Sequence, residues 1–216
     1  MVSRLFTVLG TPESRFFFDG ARFDFSGLSA FFRRAEAEGT PVMCLSTALG
    51  LLAFLDRARS EKLSFKLPAL SRLMETGGSK GHRRRISREA LYEQVQQVLG
   101  IPPDRCVNEY GMTEMSSQFY DDMLRCTLLG RRSSSCAKRV PPWVHTRVVD
   151  PESGGEVPVG SEGVLCHFDL ANVGTVMALE TEDMGVRTAE GFEITGRIPS
   201  SGLRGCSLVA EEALYV

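Results

Sequence analysis

The spacing of apolar residues in the first half of the chain predicts helices that alternate with short strands. One helix should begin at an N-cap at Ser26 and end at Gly39, and another should begin at Ser87 and end at Gly100. A third helix is predicted over residues 47–58. Alternation of strands and helices is typical of a parallel sheet with flanking helices. The predicted strands are residues 41–45, 72–75 and 106–110.

The pattern changes after about residue 125, where short apolar runs are separated by turn residues. The Pro-Glu-Ser-Gly-Gly sequence at 151–155 is such a turn. Short runs of this kind predict an antiparallel meander or small barrel. We therefore expect an α/β subdomain over residues 1–125 and a β-rich subdomain over residues 126–216. The predicted strands here are residues 143–149, 163–168, 175–180 and 191–195.

Composition excludes several classes of protein. The 216 residues are 43% hydrophobic and 24% charged, which is typical of a globular protein rather than a disordered one. A net charge of -2 argues against a nucleic-acid partner, and no apolar run is long enough for a membrane span. The N-terminal residues lack the features of a signal peptide. The six cysteines are scattered without a Cys-x-x-Cys pair, which favours free thiols and a cytoplasmic location.

The segment at residues 108–114, Asn-Glu-Tyr-Gly-Met-Thr-Glu, carries the most informative chemistry. It follows a predicted strand, and ligands of open α/β sheets bind beyond the carboxyl ends of strands. Tyr110 offers a flat face for a base, and Gly111 allows the backbone to approach a ligand closely. Thr113 offers a hydroxyl for a phosphate oxygen, and Glu114 offers a hard oxygen ligand for Mg²⁺. The alternative is a strand end followed by a capped helix that starts at Thr113 and Glu114.

Together with three other segments, this motif resembles a known family. METGGSKG precedes it, and HFDLANVGTVMALETED and GRIPSSGLRGCSLVAEE follow it, in an order that covers about residues 9–212. Tyr-Gly-x-Thr-Glu is similar to the adenine and Mg²⁺ motif of the acyl-adenylate-forming (ANL) superfamily, which includes acyl-CoA ligases and firefly luciferase. The four segments resemble more narrowly its acyl-protein synthetase (LuxE-type) branch. The resemblance implies that the chain is part of the adenylate-forming fold.

The resemblance implies roles for the residues of an adenine pocket. Tyr110 would stack on adenine, Asn108 would lie near the adenine amino edge, and Gly77 and Gly78 would form the facing wall. ATP and AMP are the implied nucleotides.

The resemblance also implies contacts with the phosphates and the ribose. Thr113 would contact the α-phosphate, Glu114 would hold Mg²⁺, Asp183 would accept hydrogen bonds from the ribose hydroxyls, and Arg197 would contact ribose or phosphate. Judged on the residues alone, Asp183 and Arg197 also fit a surface ion pair. Cys206 would carry the acyl group as a thioester. The alternative for Cys206 is a buried structural cysteine at the start of a strand.

The implied reaction joins a fatty acid, or another carboxylic acid, to AMP and then transfers the acyl group to a cysteine thiol. In the LuxE-type branch this thioester feeds the fatty-acid reductase of bacterial bioluminescence, so a reductase-like acceptor protein is the implied partner. The Ser/Thr/Gly-rich phosphate loop of the superfamily is not found in the sequence, nor is the large C-terminal lid domain. We therefore expect an N-terminally truncated member, and the alternative is a non-catalytic remnant that binds an AMP-like nucleotide or a partner protein. The basic run at 80–85 is either a solvated loop or an aid to phosphate binding.

Overall fold

A computed structural model of the chain describes most of its residues, which form two compact units. The predicted subdomain boundary between residues 125 and 126 stays a prediction. The first unit contains residues 2–20, 22–77 and 86–103, and the second contains residues 104–131 and 137–198.

The first unit has the predicted alternation of helices and strands. Its two strands pair in parallel, with Met43 opposite Arg72 and Thr47 opposite Thr76. An N-terminal helix that the sequence analysis did not predict precedes them. The elements are α1 (Val2–Leu9), α2 (Phe25–Glu38), β1 (Met43–Thr47), α3 (Ala48–Ser60), β2 (Arg72–Thr76) and α4 (Arg88–Leu99).

Three of the predicted helix ends are confirmed. The Ser87 side chain accepts a hydrogen bond from the Ala90 N–H, which satisfies a donor of the first turn of α4. Gly39 and Gly100 end α2 and α4 in the left-handed conformation, with φ of 68° and 72°. These ends are set by local chemistry that the sequence shows directly.

Two element positions in this unit differ from the prediction. Helix α2 begins after Asp24 rather than Ser26, because the Asp24 carboxylate accepts the Gly27 N–H at 2.9 Å and also the Ser26 hydroxyl at 3.1 Å. Strand β1 runs two residues later than predicted, because the Val42 N–H is bound by the Ser71 hydroxyl at 3.1 Å rather than by a neighbouring strand.

A cluster of phenylalanines forms part of the core of the first unit. The Phe54 ring on α3 lies 5.2 Å from the Phe25 ring and 5.6 Å from the Phe32 ring on α2. The Phe65 ring completes the cluster at 5.5 Å from Phe32. All four side chains are buried, so they hold α2 and α3 together by apolar burial and by tilted ring contacts.

The second unit is built mainly from antiparallel strands. Within it, the order of neighbouring strands is β3-β4-β5-β9-β8-β7-β6, and the last four form the predicted meander. No described helix is both long and apolar enough to cross a membrane. The elements, preceded by a 3₁₀ turn at Pro103–Arg105, are β3 (Cys106–Tyr110), β4 (Phe119–Asp121), α5 (Met123–Leu128), β5 (Lys138–Arg139), β6 (Val144–Val149), β7 (Glu162–Asp169), β8 (Ala178–Arg187) and β9 (Gly191–Arg197).

Strand β8 lies later in the sequence than predicted. The expected strand at 175–180 begins with a turn, in which the Asn172 N–H is bonded to the Asp169 carbonyl and the Thr175 N–H to the Asn172 carbonyl. The strand therefore begins at Ala178 and continues to Arg187. As a result, Asp183 lies inside a strand.

The core of the second unit lies against the strand that carries the candidate motif. Phe119, Leu165 and Phe192 are fully buried, and Tyr110 packs against this cluster. The mixed α/β fold expected from the sequence is confirmed, with the Tyr110 end of β3 resting on an aromatic core.

Candidate functional site

Three residues predicted to bind a nucleotide meet in the second unit. The Tyr110 hydroxyl, at the end of β3, donates a hydrogen bond to Asp183 Oδ2 at 2.8 Å. Arg197 Nε, at the end of β9, donates to Asp183 Oδ1 at 2.9 Å, and these two residues are register partners on β8 and β9. An aromatic ring, a carboxylate and a cation from three strands are thus joined, and the ion-pair alternative for Asp183 and Arg197 is also realised.

The Tyr110 side chain is fixed as a neutral hydrogen-bond donor. Burial raises the pKa of its hydroxyl above the usual value, and the Asp183 charge and hydrogen bond raise it further. The Tyr110 ring lies 5.8 Å from the rings of Phe119 and Phe192. These contacts restrict the ring to one orientation, as a stacking surface requires.

A buried histidine lies against the same aromatic cluster. The His167 ring is 4.8 Å from the Phe119 ring and 5.9 Å from the Tyr110 ring, and its Nδ1 is 2.9 Å from the Thr146 hydroxyl. Burial lowers the pKa of His167 to about 4, although the nearby Asp183 and Asp169 carboxylates favour protonation. The side chain is therefore neutral near pH 7.

A buried ion pair holds the backbone of Asn108. The Asn108 N–H donates to Asp121 Oδ2 at 2.8 Å, and Lys138 Nζ donates to the Asn108 carbonyl at 2.7 Å. Lys138 Nζ lies 3.7 Å from Asp121 Oδ2, and the two side chains are 0% and 3% exposed. Sequence reasoning missed this pair because a lysine in an isolated two-residue strand gives no sign of burial.

The loop at 111–118 places Thr113 and Glu114 in exposed positions. The Thr113 hydroxyl donates to Glu114 Oε2 at 3.1 Å. The alternative of a helix that starts here is wrong, because residues 113 and 114 form a turn. The Ser117 N–H, which a helix starting at Thr113 would bond to the Thr113 carbonyl, instead binds the Asp169 carboxylate, as does the Ser116 N–H.

The Asp169 carboxylate is a second residue that sequence reasoning missed. Its oxygens accept the Ser116 N–H at 3.1 Å, the Ser117 N–H at 2.9 Å, the Ser117 hydroxyl at 2.8 Å and the Ala171 N–H at 3.0 Å. Burial opposes ionisation of Asp169, but the hydrogen bonds from Ser117, Ala171 and Ser116 outweigh it and hold its pKa below the usual value. The only sequence signal was an aspartate at a strand end, followed by turn residues.

The exposed Glu114 carboxylate is suited to bind Mg²⁺ together with the phosphates of a nucleotide. The Glu114 side chain is exposed, and only its Oε2 takes a hydrogen bond in the part of the chain that the structure describes. That part holds no cluster of three or more His, Cys, Asp or Glu side chains suited to a metal. Because Mg²⁺ in nucleotide sites uses one or two carboxylates together with substrate phosphates, a single exposed carboxylate fits it.

The structure describes Gly77 and Gly111 but not Gly78 or Cys206. A Cβ atom at Gly111 would lie 2.7 Å from Glu109 Oε1, so glycine leaves room for the buried Glu109 carboxylate. Gly77 follows β2 in the first unit with φ of 79°, and its adenine role stays a prediction. Gly78 and Cys206 lie outside the described residues.

Comparison with known proteins shows the family. The family model described as AMP-binding enzyme matches residues 21–168 of the chain. The chain is 23% identical over 199 residues to the long-chain-fatty-acid–luciferin-component ligase of Vibrio harveyi, with 88% of this chain and 50% of that protein covered. The chain thus spans about half the length of this curated relative.

Solved structures of similar fold are adenylate-forming ligases. An open conformation of 2-hydroxyisobutyryl-CoA ligase in complex with 2-HIB-AMP and CoA has a TM-score of 0.57 at 18% identity, and 81% of this chain and 37% of that chain are covered. A long-chain-fatty-acid–CoA ligase from Archaeoglobus fulgidus has a TM-score of 0.54 at 17% identity, with coverage of 82% and 37%. These likenesses confirm the adenylate-forming fold. Because this family model matches well over half of the chain, the chain belongs to the AMP-binding enzyme family.

Proposed function

We propose that this chain contributes the adenylate-binding part of an ATP-dependent ligase of the acyl-protein synthetase type, which activates a fatty acid or another carboxylic acid. The observation that carries the proposal is the joining of Tyr110, Asp183 and Arg197 through one carboxylate. Membership of the AMP-binding family supports the nucleotide, and the similarity to a long-chain-fatty-acid ligase supports the acid.

The adenosine part of the nucleotide would be held by stacking and by polar contacts. The Tyr110 ring supplies the stacking face, and Asn108 lies two residues before it on β3. Among the described residues, each oxygen of Asp183 accepts one hydrogen bond, which would leave a further lone pair for a ribose hydroxyl. The adenine roles of Gly77 and Gly78 rest on the resemblance of their sequence segment to the family alone.

Acid activation requires a carboxylate oxygen to attack the α-phosphorus while the bond from that phosphorus to pyrophosphate breaks. Thr113 would donate its hydroxyl to an α-phosphate oxygen, which carries growing negative charge. Arg197 supplies a permanent cation near the ribose and phosphate. Mg²⁺, held by Glu114, would supply positive charge against the phosphate oxygens.

Acyl transfer would use the Cys206 thiolate. Its sulfur attacks the acyl carbonyl carbon, the carbon–oxygen bond to AMP breaks, and AMP leaves with that oxygen. The product is a thioester, from which the acyl group passes to an acceptor such as a reductase. This step rests on the position of Cys206 in the Leu-Arg-Gly-Cys-Ser segment of the sequence.

AMP binding by the 216-residue chain tests the nucleotide site. In calorimetric titrations, Tyr110→Ala should weaken AMP binding roughly 5- to 150-fold, since stacking of one base on an aromatic ring contributes about 1–3 kcal/mol. Tyr110→Phe should keep most of the affinity because it retains the ring. Tyr120→Ala is the matched control, since Tyr120 is an exposed tyrosine on the neighbouring strand β4. Equal AMP affinity of wild type and Tyr110→Ala would contradict the stacking role.

Catalysis is tested separately from binding. Fatty-acid-dependent ATP–pyrophosphate exchange reports formation of acyl-AMP, and intact AMP binding without exchange would identify the chain as a nucleotide-binding protein without catalysis. Incubation with tritiated fatty acid and ATP should give a label that hydroxylamine releases. That label should be lost in Cys206→Ala and kept in Cys126→Ala; a label that survives in Cys206→Ala assigns the acyl group elsewhere.

A further inference from the structure

The loop at 111–118, which carries Thr113 and Glu114, is hydrogen-bonded to Asp169 at the end of β7 and to Asn172 just beyond it, and Trp143 Nε1 also donates to Ser117 Oγ at 2.8 Å. Its own described backbone contributes one hydrogen bond within the loop, from the Met115 N–H to the Met112 carbonyl at 3.2 Å. Asp169 binds the next two N–H groups along, at Ser116 and Ser117. Asp169 is 1% exposed, so this anchor is shielded from water.

Asn172, three residues after the end of β7, provides a second anchor. Its Nδ2 donates to the Glu114 carbonyl and to the Val176 carbonyl, each at 2.7 Å. Its Oδ1 accepts the Ser116 hydroxyl at 3.0 Å. Asn172 is 7% exposed, and every hydrogen bond that its side chain makes here fixes either this loop or the turn at Val176. The backbone around Glu114 is therefore held on both sides. Asn172 binds the Glu114 carbonyl, and Asp169 binds the N–H groups of Ser116 and Ser117.

We propose that Asp169 and Asn172 are positioning residues that orient the Glu114 carboxylate toward the phosphates of the bound nucleotide. The inference rests on the proposed function, since it assigns these residues to the phosphate side of the same site. Five of the seven hydrogen bonds described for these two side chains reach the loop that carries Glu114. Neither residue has a described hydrogen bond to Tyr110, Asp183 or Arg197, so the inference concerns the phosphate side of the site.

The test compares ATP affinity with Mg²⁺ and with EDTA. Wild type should bind ATP about tenfold more tightly with Mg²⁺, a change of about 1.4 kcal/mol. Asp169→Asn replaces one of the two oxygens that together accept three N–H groups and a hydroxyl with an NH₂ donor, and it should lose this gain, while AMP affinity in EDTA stays within about twofold of wild type. Ser116→Ala removes only the hydroxyl bond to Asn172 and is the milder variant, with a partial loss of the gain.

A double-mutant cycle separates positioning from general destabilisation. Glu114→Gln should remove the Mg²⁺-dependent gain, and Asp169→Asn combined with it should cost nothing further, because Asp169 acts through Glu114. Amide exchange at Ser116 and Ser117 should speed up in Asp169→Asn. Asp150→Asn is the matched control, since Asp150 accepts two N–H groups and a hydroxyl in a turn unconnected to Glu114.

The outcomes distinguish the inference from the function on which it rests. If wild type binds no nucleotide, the proposed function fails and the inference fails with it. If wild type shows the Mg²⁺-dependent gain and both Asp169→Asn and Ser116→Ala keep it in full, the inference alone is overturned. Additive losses in the double mutant, or an equal loss in Asp150→Asn, overturn it as well.

Discussion

Protonation of His167 is expected to destabilise the second unit between pH 7 and pH 5. The ring is fully buried, and burial lowers its pKa from 6.5 to about 4. The unfolded chain therefore takes up this proton at a higher pH than the folded chain does. The resulting stability is present above pH 6.5 and is lost as the pH falls from 6.5 toward 4.

The magnitude follows from this difference in pKa. Each unit corresponds to about 1.4 kcal/mol, so the full separation would cost about 3.4 kcal/mol below pH 4, of which about 2 kcal/mol is lost at pH 5. The pKa values of the Asp150 and Asp169 carboxyls lie below the usual value because of the hydrogen bonds that each accepts, so both groups stay ionised between pH 7 and pH 5 and contribute little to this difference.

Urea unfolding followed by tryptophan fluorescence measures this change. Trp143 is the single tryptophan of the chain and lies in the second unit, so its signal reports that unit. His167→Phe keeps an aromatic ring in the Phe119 and Phe192 cluster but has no titrating group. Its loss of the Thr146 hydrogen bond lowers stability equally at both pH values.

Wild type should therefore lose about 2 kcal/mol more than His167→Phe between pH 7 and pH 5. His145→Phe is the matched control, because His145 is an exposed histidine on the neighbouring strand β6, and it should lose as much stability as wild type. Equal losses in wild type and His167→Phe would refute the reasoning.

Three further predictions concern stability. Lys138→Met leaves Asp121 as a buried charge without its cation and should lower the free energy of unfolding in urea by about 3–5 kcal/mol. Arg139→Met leaves Asp122, which keeps more contact with water than Asp121, and should lower it by about 1 kcal/mol or less. In Gly191→Ala the new methyl group would collide with the Lys138 carbonyl oxygen, so β5 and β9 must separate and the thermal midpoint should fall sharply, while Gly174→Ala, with open space around it, should leave the midpoint unchanged. Ser87→Ala removes the cap of α4 and should cost about 1 kcal/mol, observed by circular dichroism in urea; an unchanged midpoint would show that the cap is dispensable.

Helix ends were predictable where one residue alone could form the cap. The sequence predicted that α4 begins after Ser87 and ends at Gly100, and the structure agrees. Both ends could be predicted because the serine hydroxyl and the left-handed glycine each act within one turn of the helix. The start of α2 was misplaced because Asp24 and Ser26 are both good caps. Which of them caps depends on which side chain reaches the Gly27 N–H, and spacing alone does not decide that.

The sequence allowed us to predict which residues belong to the candidate site, but not how they contact one another. Tyr110 and Asp183 are 73 residues apart, and their hydrogen bond joins strands β3 and β8, whose relative placement no local pattern in the sequence indicates. Lys138 was invisible to sequence reasoning, because its burial depends on Asp121 and on the Asn108 carbonyl, which come from other strands. Residues whose side chains suit a nucleotide could be identified from the sequence. The residues that hold them in place could not, because their contacts depend on the register of strands far apart in the sequence.

The two hydrogen bonds to Asp183 have a consequence for the entropy of ligand capture. The carboxylate is held in one orientation by a hydroxyl and a guanidinium from two different strands. Ordering a free side chain on binding costs about 0.5–1.5 kcal/mol. A ribose hydroxyl that binds this carboxylate would meet an acceptor that folding has already oriented. The binding affinity would then not be reduced by the cost of ordering the Asp183 side chain.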